Sequence, residues 1–479
     1  YNFCRAVGNN LYHWWSYGMH GHESLACFVA NIAQPSLSQA FLRGHFQFQS
    51  ADGGIPYGVS PASQRSEATG TATMPVLTWE AWETYLWSGD KRFLEEAYEA
   101  CRRFHDWWVN TRDRTGEGLV HWNGYGETVR DDADVPTWLL SGGAEYQEAL
   151  DLNCYLLMDE RCLVDMAEEL GRPEEAERWR AAADRRVQTM NSYMWSEAEG
   201  CYYGINEVVP QLINIKDCST FYPLWCGLAP PERALRLVEH LTKENEFWLP
   251  FPVPSVARDE PLWGADWHWH GPNWVEMVWP TVRGLRNYGY YELAAELAYR
   301  NCEMVFTHNL EADGHFREYY NPLTGKGAAG CLYDYVWACV PAIMALETFA
   351  GVRPCREGLE VLPALPRDWD RVSVEGLKVR GKSVSVTVVR RRDVHQVQVS
   401  VNERSAPVCK GRGVLIPWSE LADGTTIRII QPWRIPETCS PPWKLPPLDV
   451  AFPPHRYPED QQLIETVKRQ MKSREKLGR

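Results

Sequence analysis

The chain has 479 residues, a formal net charge of −14, and 23 Trp. That length supports one large domain with a smaller one beside it. The negative charge excludes nucleic acid and anionic membranes as partners, and the chain lacks an apolar run of roughly 18 residues, the length a membrane-spanning helix needs. The 14 Cys are scattered without a Cys-x-x-Cys pair, so neither a zinc site nor any cofactor is expected. No secretory signal is visible. The start at Tyr1 leaves the compartment open, with the cytoplasm favoured, and nothing fixes the oligomeric state.

In chain order, the first notable stretch is NNLYHWWSYGMHGHE, which carries Trp14, Trp15 and Tyr17. Its His13, His20, His22 and Glu23 match no metal-ligand spacing. QSADGGIPYG follows, with Asp52 before a Gly-Gly turn. LWSGDKRFLEEAYEACRRF closes one helix near Gly and opens another, and AEELGRPEEAERWRAAA, CGLAPPERALRLVEHL and LRNYGYYELAAELAYR share that layout. In the second of these, Gly171 reads as a C-terminal cap and Pro173 as a first-turn proline. Leu152, Leu156, Leu163, Ala167 and Leu170 recur at helical spacing and predict one buried stripe. Short connections make neighbouring helices antiparallel. Hairpins of this number, too unlike one another for a regular solenoid, fit a closed ring, an (α/α)₆ barrel.

The long links between hairpins hold the unusual residues. HWNGYGETVRDDADVPTW carries Trp122, Glu127, Asp131, Asp132 and Asp134; WGADWHWHGPNW carries Trp267, His268, Trp269, His270, Asn273 and Trp274; HFREYYNPLTGKG carries Arg317 and Glu318. Aromatic rings and carboxylates sharing loops point to a sugar pocket, because a sugar ring offers C–H faces and hydroxyl edges. After Val352 the period changes. Val384, Val386 and Val388 alternate with polar residues, as do Val397, Val399 and Val401, which is strand periodicity. The expected organisation is therefore a helical barrel over 1–352, a small antiparallel β domain over 353–435, and a Pro-rich segment with a charged tail over 436–479.

Glycoside hydrolysis needs two carboxyl groups, one protonated to help the leaving oxygen and one ionised to activate water or attack the anomeric carbon. The chain resembles the glycoside hydrolase family 63 clan, with its processing α-glucosidases, mannosylglycerate hydrolases and related trehalases. EYYNPLTGKG resembles the family segment that bears the general base, which implies that role for Glu318. HGPNW resembles Arg-Gly-Pro-Ile-Trp, with His270 in the Arg position, and ALDLNCYLL resembles the Val-Asp-Leu-Asn-Ala run of trehalases. QSADGGIP and FPVPSVARDEP match further segments, all in the family's order. ETVRD has the spacing of Glu-Ser-Gly-x-Asp, which implies that Asp131 is the general acid. Val129 replaces the Gly, so Asp132 and Glu127 stay open as alternatives. Trp14-Trp15-Ser16 departs from the family's Trp-Asp, so the innermost subsite should differ. The resemblance implies an inverting hydrolase acting on an α-linked glucoside or mannoside. Trp14, Trp15, Tyr17, Asp52, Trp122, Glu127, Trp269, His270, Asn273, Trp274 and Arg317 are the expected substrate-binding residues.

Competing readings remain. A sugar epimerase or polysaccharide lyase on the same barrel would rely on His20, His268 and His270. A carbohydrate-binding protein would keep the cleft and lack catalysis, and a phosphorylase would replace the base by phosphate. Arg317, Tyr319 and Tyr320 are expected to orient the Glu318 carboxylate.

Overall fold

The structure is a computed structural model that describes residues 25–57, 59–60, 65–66, 72–124, 127–128, 130, 143–209, 211–261, 263–433, 435, 465 and 469. Helices occupy the first part of the chain: α1 (Ala26–Ala33), α2 (Pro35–Phe46), α3 (Leu77–Ser88), α4 (Lys91–Arg112), α5 (Leu150–Glu169), α6 (Pro173–Tyr193), α7 (Tyr222–Trp225), α8 (Pro231–Leu241), α9 (Val275–Asn287), α10 (Tyr291–Val305) and α11 (Val340–Ala345). Their ends follow local chemistry. The Asp90 carboxylate accepts from the N–H groups of Arg92 and Phe93 and caps α4. Gly171, at φ +71°, ends α5, and Pro173 opens α6, as the sequence predicts. Leu152, Leu156, Leu163 and Ala167 are fully buried, whereas Leu170 at the end of the stripe is only partly so.

The odd-numbered helices pack in succession. α1 contacts α3, α3 contacts α5, α5 contacts α7, α7 contacts α9, α9 contacts α11, and α11 contacts α1. The even-numbered helices α2, α4, α6 and α10 lie against them. Gly284 lets α9 approach α7, since a Cβ there would meet Leu224 Cβ at 2.7 Å. Within the ring, Trp79 stacks on Trp279 at 5.1 Å and meets Trp225 edge-on at 4.7 Å, and Phe28 packs on Trp79 and Trp279. Arg283 of α9 crosses this cluster to Glu83 of α3, at 2.6 Å, and to Glu347 beyond α11.

Strands β1 (Val59–Ser60), β2 (Arg65–Ser66), β3 (Gln147–Glu148), β4 (Trp195–Ser196), β5 (Cys201–Tyr202) and β6 (Ile205–Asn206) are two residues long each and lie within the helical links. Longer strands begin at Val352: β7 (Val352–Pro354), β8 (Gly358–Val361), β9 (Arg371–Val379), β10 (Lys382–Arg391), β11 (Gln398–Val401), β12 (Arg404–Ser405), β13 (Val414–Pro417) and β14 (Thr425–Pro432). They form a three-stranded sheet ordered β13-β8-β7 and a five-stranded sheet ordered β12-β11-β14-β10-β9. The expectation of a wholly antiparallel β region needs correction, because β10 and β14 pair in parallel, Val384 opposite Thr425 through Arg391 opposite Pro432. Residues 392–424 supply the crossover that a parallel pair requires. Val384, Val386 and Val388 all face the core, as their alternation predicts. The apolar core is continuous from the helices into this sheet.

Candidate active site

Two chain segments meet to build the neighbourhood of Glu318. Asn273 and Tyr320 exchange backbone hydrogen bonds of 2.7 and 2.9 Å, so the end of the His-Gly-Pro-Asn link pairs with the chain just after Glu318. Glu318 donates its N–H to the Leu332 carbonyl at 3.0 Å, and its carbonyl accepts from the Trp337 indole at 2.8 Å. Its half-buried carboxylate accepts from the Leu332 N–H at 3.2 Å. A backbone donor at a carboxylate oxygen favours the ionised form. The turn that follows is fixed from both sides. Asn321 Oδ1 accepts from Leu323 and Thr324 N–H, and Gly325, at φ +71°, gives its N–H to the Asn321 carbonyl. Asn309 donates to Gly325 O at 2.7 Å and accepts from Gly327 N–H at 3.0 Å.

The neighbours of Glu318 in sequence do not orient its carboxylate in the expected way. The Arg317 guanidinium pairs with Asp313 and lies over the Tyr333 ring at 4.0 Å. The Tyr320 hydroxyl accepts from the Arg317 N–H at 3.0 Å, and the Tyr319 hydroxyl donates to Ala329 O at 3.3 Å. Arg317 and Tyr320 thus brace the loop.

An aromatic stack stands beside this carboxylate. Trp274 lies parallel to Trp269 at 3.8 Å and stacks on Tyr319 at 4.6 Å, with Trp337 at 5.8 Å. Trp269 and Trp274 are each 2% exposed, so they form a wall, and their stacking partners are protein rings. His270 is buried and lies flat on Trp267 at 4.1 Å, while Trp267 itself is exposed. Asn273 is buried. Its amide donates to Pro252 O and Asn301 Oδ1, which fixes the link that pairs with Tyr320.

The loop expected to carry the acid is described only in part. Asp131, Asp132 and Asp134 lie outside the described residues, as do Trp14, Trp15 and Tyr17. Glu127, expected to touch substrate, is instead fully buried and braces its own loop. Its oxygens accept from Ala72 N–H at 2.6 Å, Arg112 at 3.0 Å and Asn123 N–H at 2.7 Å. Burial pushes this carboxyl up, and Arg112 and the two N–H donors pull it back. Trp122 is buried and edge-on to Trp108, so it belongs to the packing beneath the loop; its indole donates to Asp151 at 3.3 Å. Asp52 is an exposed turn residue that accepts from Ser50 and from Gly54 N–H, bonds that hold its carboxyl below the usual range.

Several residues near these were not singled out from sequence. Arg130, which directly precedes Asp131, is buried between Asp217 at 2.7 Å and Asp151 at 2.8 Å. Burial pushes the Asp151 carboxyl up, and Arg130 opposes it. Asn153, two residues on, clamps the Val120 backbone with bonds to its N–H and carbonyl. The signal for both was present in the ALDLN run. Glu276, in the first turn of α9, gave none. A cavity of about 830 Å³ between α10 and the β region contains none of the expected site residues.

Comparisons with known proteins place this arrangement. Mannosylglycerate hydrolase of Thermus thermophilus is 30% identical over 171 residues, which cover 36% of this chain and 38% of that enzyme. The cytosolic neutral trehalase of Saccharomyces cerevisiae is 25% identical over 41% of this chain and 28% of its own length. The chain thus spans well under half of these curated relatives. The crystal structure of the family 63 mannosylglycerate hydrolase from Thermus thermophilus in complex with glucose shares the fold, with a TM-score of 0.59 and 22% identity over 68% of this chain and 92% of that one. Neutral trehalase from Saccharomyces cerevisiae follows at a TM-score of 0.55 and 18% identity, over 69% of this chain and 71% of that one. Residues 15–338 match the mannosylglycerate hydrolase MGH1-like glycoside hydrolase domain, and the chain belongs to that family.

Proposed function

We propose that this chain is an inverting glycoside hydrolase acting on a small α-linked glucoside or mannoside, with Glu318 as general base and Asp131 as general acid. We read the succession of odd-numbered helices as the inner ring of an (α/α)₆ barrel over residues 1–352, with a β domain over 353–435 and a tail over 436–479. The observation that carries the functional reading is the setting of Glu318. Within a glycoside hydrolase domain, it is a half-buried carboxylate on a segment held at its own N–H and carbonyl, beside a wall of stacked Trp and Tyr.

In this mechanism the Asp131 carboxyl gives its proton to the glycosidic oxygen as the bond from that oxygen to the anomeric carbon breaks. Glu318 takes a proton from a water, whose oxygen attacks the anomeric carbon from the opposite face. Glu318 then releases its proton to solvent and Asp131 regains one. Inversion requires space for that water, hence roughly 6.5–9.5 Å between the two carboxyl groups. The reading that relies on His bases finds less support, because His270 lies flat against Trp267 in a buried position.

The relatives named for mannosylglycerate and trehalose set the first substrates to try, alongside simple α-glucosides and α-mannosides. Glu318→Gln preserves shape and removes the base, so kcat should fall by about a thousandfold or more. Proton NMR of the first product should show the β-anomer. A retained anomer, or Glu318→Gln turning over at the wild-type rate, overturns the mechanism.

A further inference from the structure

Glu276 is the second residue of α9, two positions after Trp274 and three after Asn273. Its side chain is 1% exposed, and among the described residues no other residue gives either carboxyl oxygen a hydrogen bond; only its own main-chain N–H, within the same residue, acts on the carboxyl. Several other buried carboxylates here sit against cations: Glu83 and Glu347 against Arg283, Asp151 and Asp217 against Arg130, Glu160 against Arg186, Glu127 against Arg112. Glu276 has none. The ionisable groups linked to it electrostatically are Glu318, Tyr320 and Cys218, each an acid. Burial, and then the negative charge of Glu318, push its carboxyl well above the usual carboxylate range. The first-turn position favours a negative charge only weakly, far less than burial without a partner disfavours it. Pro280, four residues on, has no N–H to return to the Glu276 carbonyl, so this turn also lacks a main-chain donor.

A buried polar group without a partner in the free protein is a group for which a ligand can supply one. Asn273 ties the start of α9 to Tyr320, Glu318 lies two residues before Tyr320, and its charge acts on the Glu276 carboxyl. The Glu276 carboxyl therefore shares the neighbourhood of the proposed base.

We propose that Glu276 contacts substrate directly: as a neutral carboxylic acid it donates its O–H to, and accepts at its carbonyl oxygen from, hydroxyls of the sugar ring bound against Glu318. This deepens the glycosidase reading and rests on it for the identity of the ligand. The ligand class is a neutral pyranose with free hydroxyls at that end. An anionic group placed there would meet the negative charge of Glu318 as well, and among the described residues no cation stands by Glu276 to offset it.

The test measures binding apart from hydrolysis. Calorimetric titration of wild type, Glu276→Ala and Glu276→Gln with glucose and with mannose should show wild-type binding weakened about tenfold or more in Glu276→Ala, with Glu276→Gln in between. Thermal midpoints of both variants should equal or exceed that of wild type, because an unpaired buried carboxyl has been removed. A merely structural residue gives the reverse: a lower midpoint with unchanged affinity. Monodeoxy sugars locate the contact. For the analogue lacking the contacted hydroxyl, wild type should bind as weakly as Glu276→Ala, and the variant should lose nothing further. Failure of wild type to bind either sugar, or equal affinity in wild type and Glu276→Ala, overturns the inference. Sugar binding that depends on Glu276, without hydrolysis of any glycoside, upholds the contact and defeats the hydrolase assignment. Hydrolysis abolished by Glu318→Gln but untouched by Glu276→Ala does the opposite.

Discussion

Replacing Arg283 by Met should destabilise the protein by about 4 kcal/mol at neutral pH. The side chains of Arg283, Glu83 and Glu347 are each 4% exposed, and the guanidinium joins α3 and the end of α11 to α9. Removing one partner of a buried ion pair costs roughly 3–5 kcal/mol, because the remaining charge is left without compensation. Two terms adjust that range. Arg283 also lies over Trp279 at 4.5 Å and Trp79 at 5.2 Å, which adds about 1 kcal/mol of cation–π attraction. Against this, Arg353 stands 4.0 Å from Glu83, and a cavity of about 260 Å³ borders Glu83 and Arg283, so water and a second cation relieve part of the loss. Burial alone would raise the Glu83 carboxyl, but Arg283 and Arg353 outweigh it and hold it below the usual range. A depressed folded value contributes stability above the unfolded value, lost as pH falls through the folded one. The deficit of Arg283→Met should therefore shrink below about pH 4. Urea unfolding across pH, read by Trp fluorescence, measures it. The combined Glu83→Gln, Arg283→Met, Glu347→Gln variant should recover most of the loss, since it leaves no bare charge. A deficit below about 1 kcal/mol at pH 7, or a triple variant no better than the single, refutes the reasoning.

Two further predictions concern other buried charges. Glu207 is buried beside Arg114 at 3.2 Å, and burial pushes its carboxyl up to about 7 from 4.5. A raised folded value favours the folded state below the unfolded value and is lost as pH rises, so wild type should lose up to about 3 kcal/mol relative to Glu207→Gln between pH 4.5 and pH 8; a pH-independent difference in urea midpoints contradicts this. Arg130→Met should lower kcat about 10- to 100-fold by loosening the chain next to Asp131. The loss should be smaller with glycosyl fluorides, whose leaving group needs no proton; an equal loss on both substrates argues against a link to the acid.

Much of the architecture was legible because it is encoded locally. Gly171 and Pro173 mark a helix boundary by backbone preference alone, and the alternating valines of β10 state which face is buried. The parallel pairing of β10 with β14 was not legible, because residues 392–424 separate the partners and no local pattern records which strand a chain returns to. At the site, the turn after Glu318 showed itself through Asn321, Pro322 and Gly325. The direction of Arg317 did not, since its contacts with Asp313 and Tyr333 depend on how the chain bends at residues 318 and 319. Trp122, Glu127 and Asp52 sit in loops whose composition suits a pocket, yet each is engaged by nearby backbone or side chains. Arg130 between two carboxylates and Glu276 without a cation are facts of tertiary placement. In sequence, both read as ordinary charged residues.

The two carboxyl groups of Glu318 and Glu276 receive opposite treatment, and the contrast bears on how a base stays charged. Two nearby carboxyls resist carrying two negative charges, so one proton is retained between them over a wide pH range. Its place depends on which group is better stabilised as an anion. Glu318 is half-buried and accepts an N–H from Leu332. Glu276 is sealed from solvent and accepts from no side chain or neighbouring N–H. The Leu332 N–H favours the anion at Glu318, whereas burial disfavours it at Glu276. Under the proposed mechanism, that division would suit Glu318 to take a proton from water and Glu276 to give a hydrogen bond to a hydroxyl. A substrate that satisfies Glu276 lowers the energy of its protonated form further, and the ionised state of Glu318 is then reinforced by the act of binding.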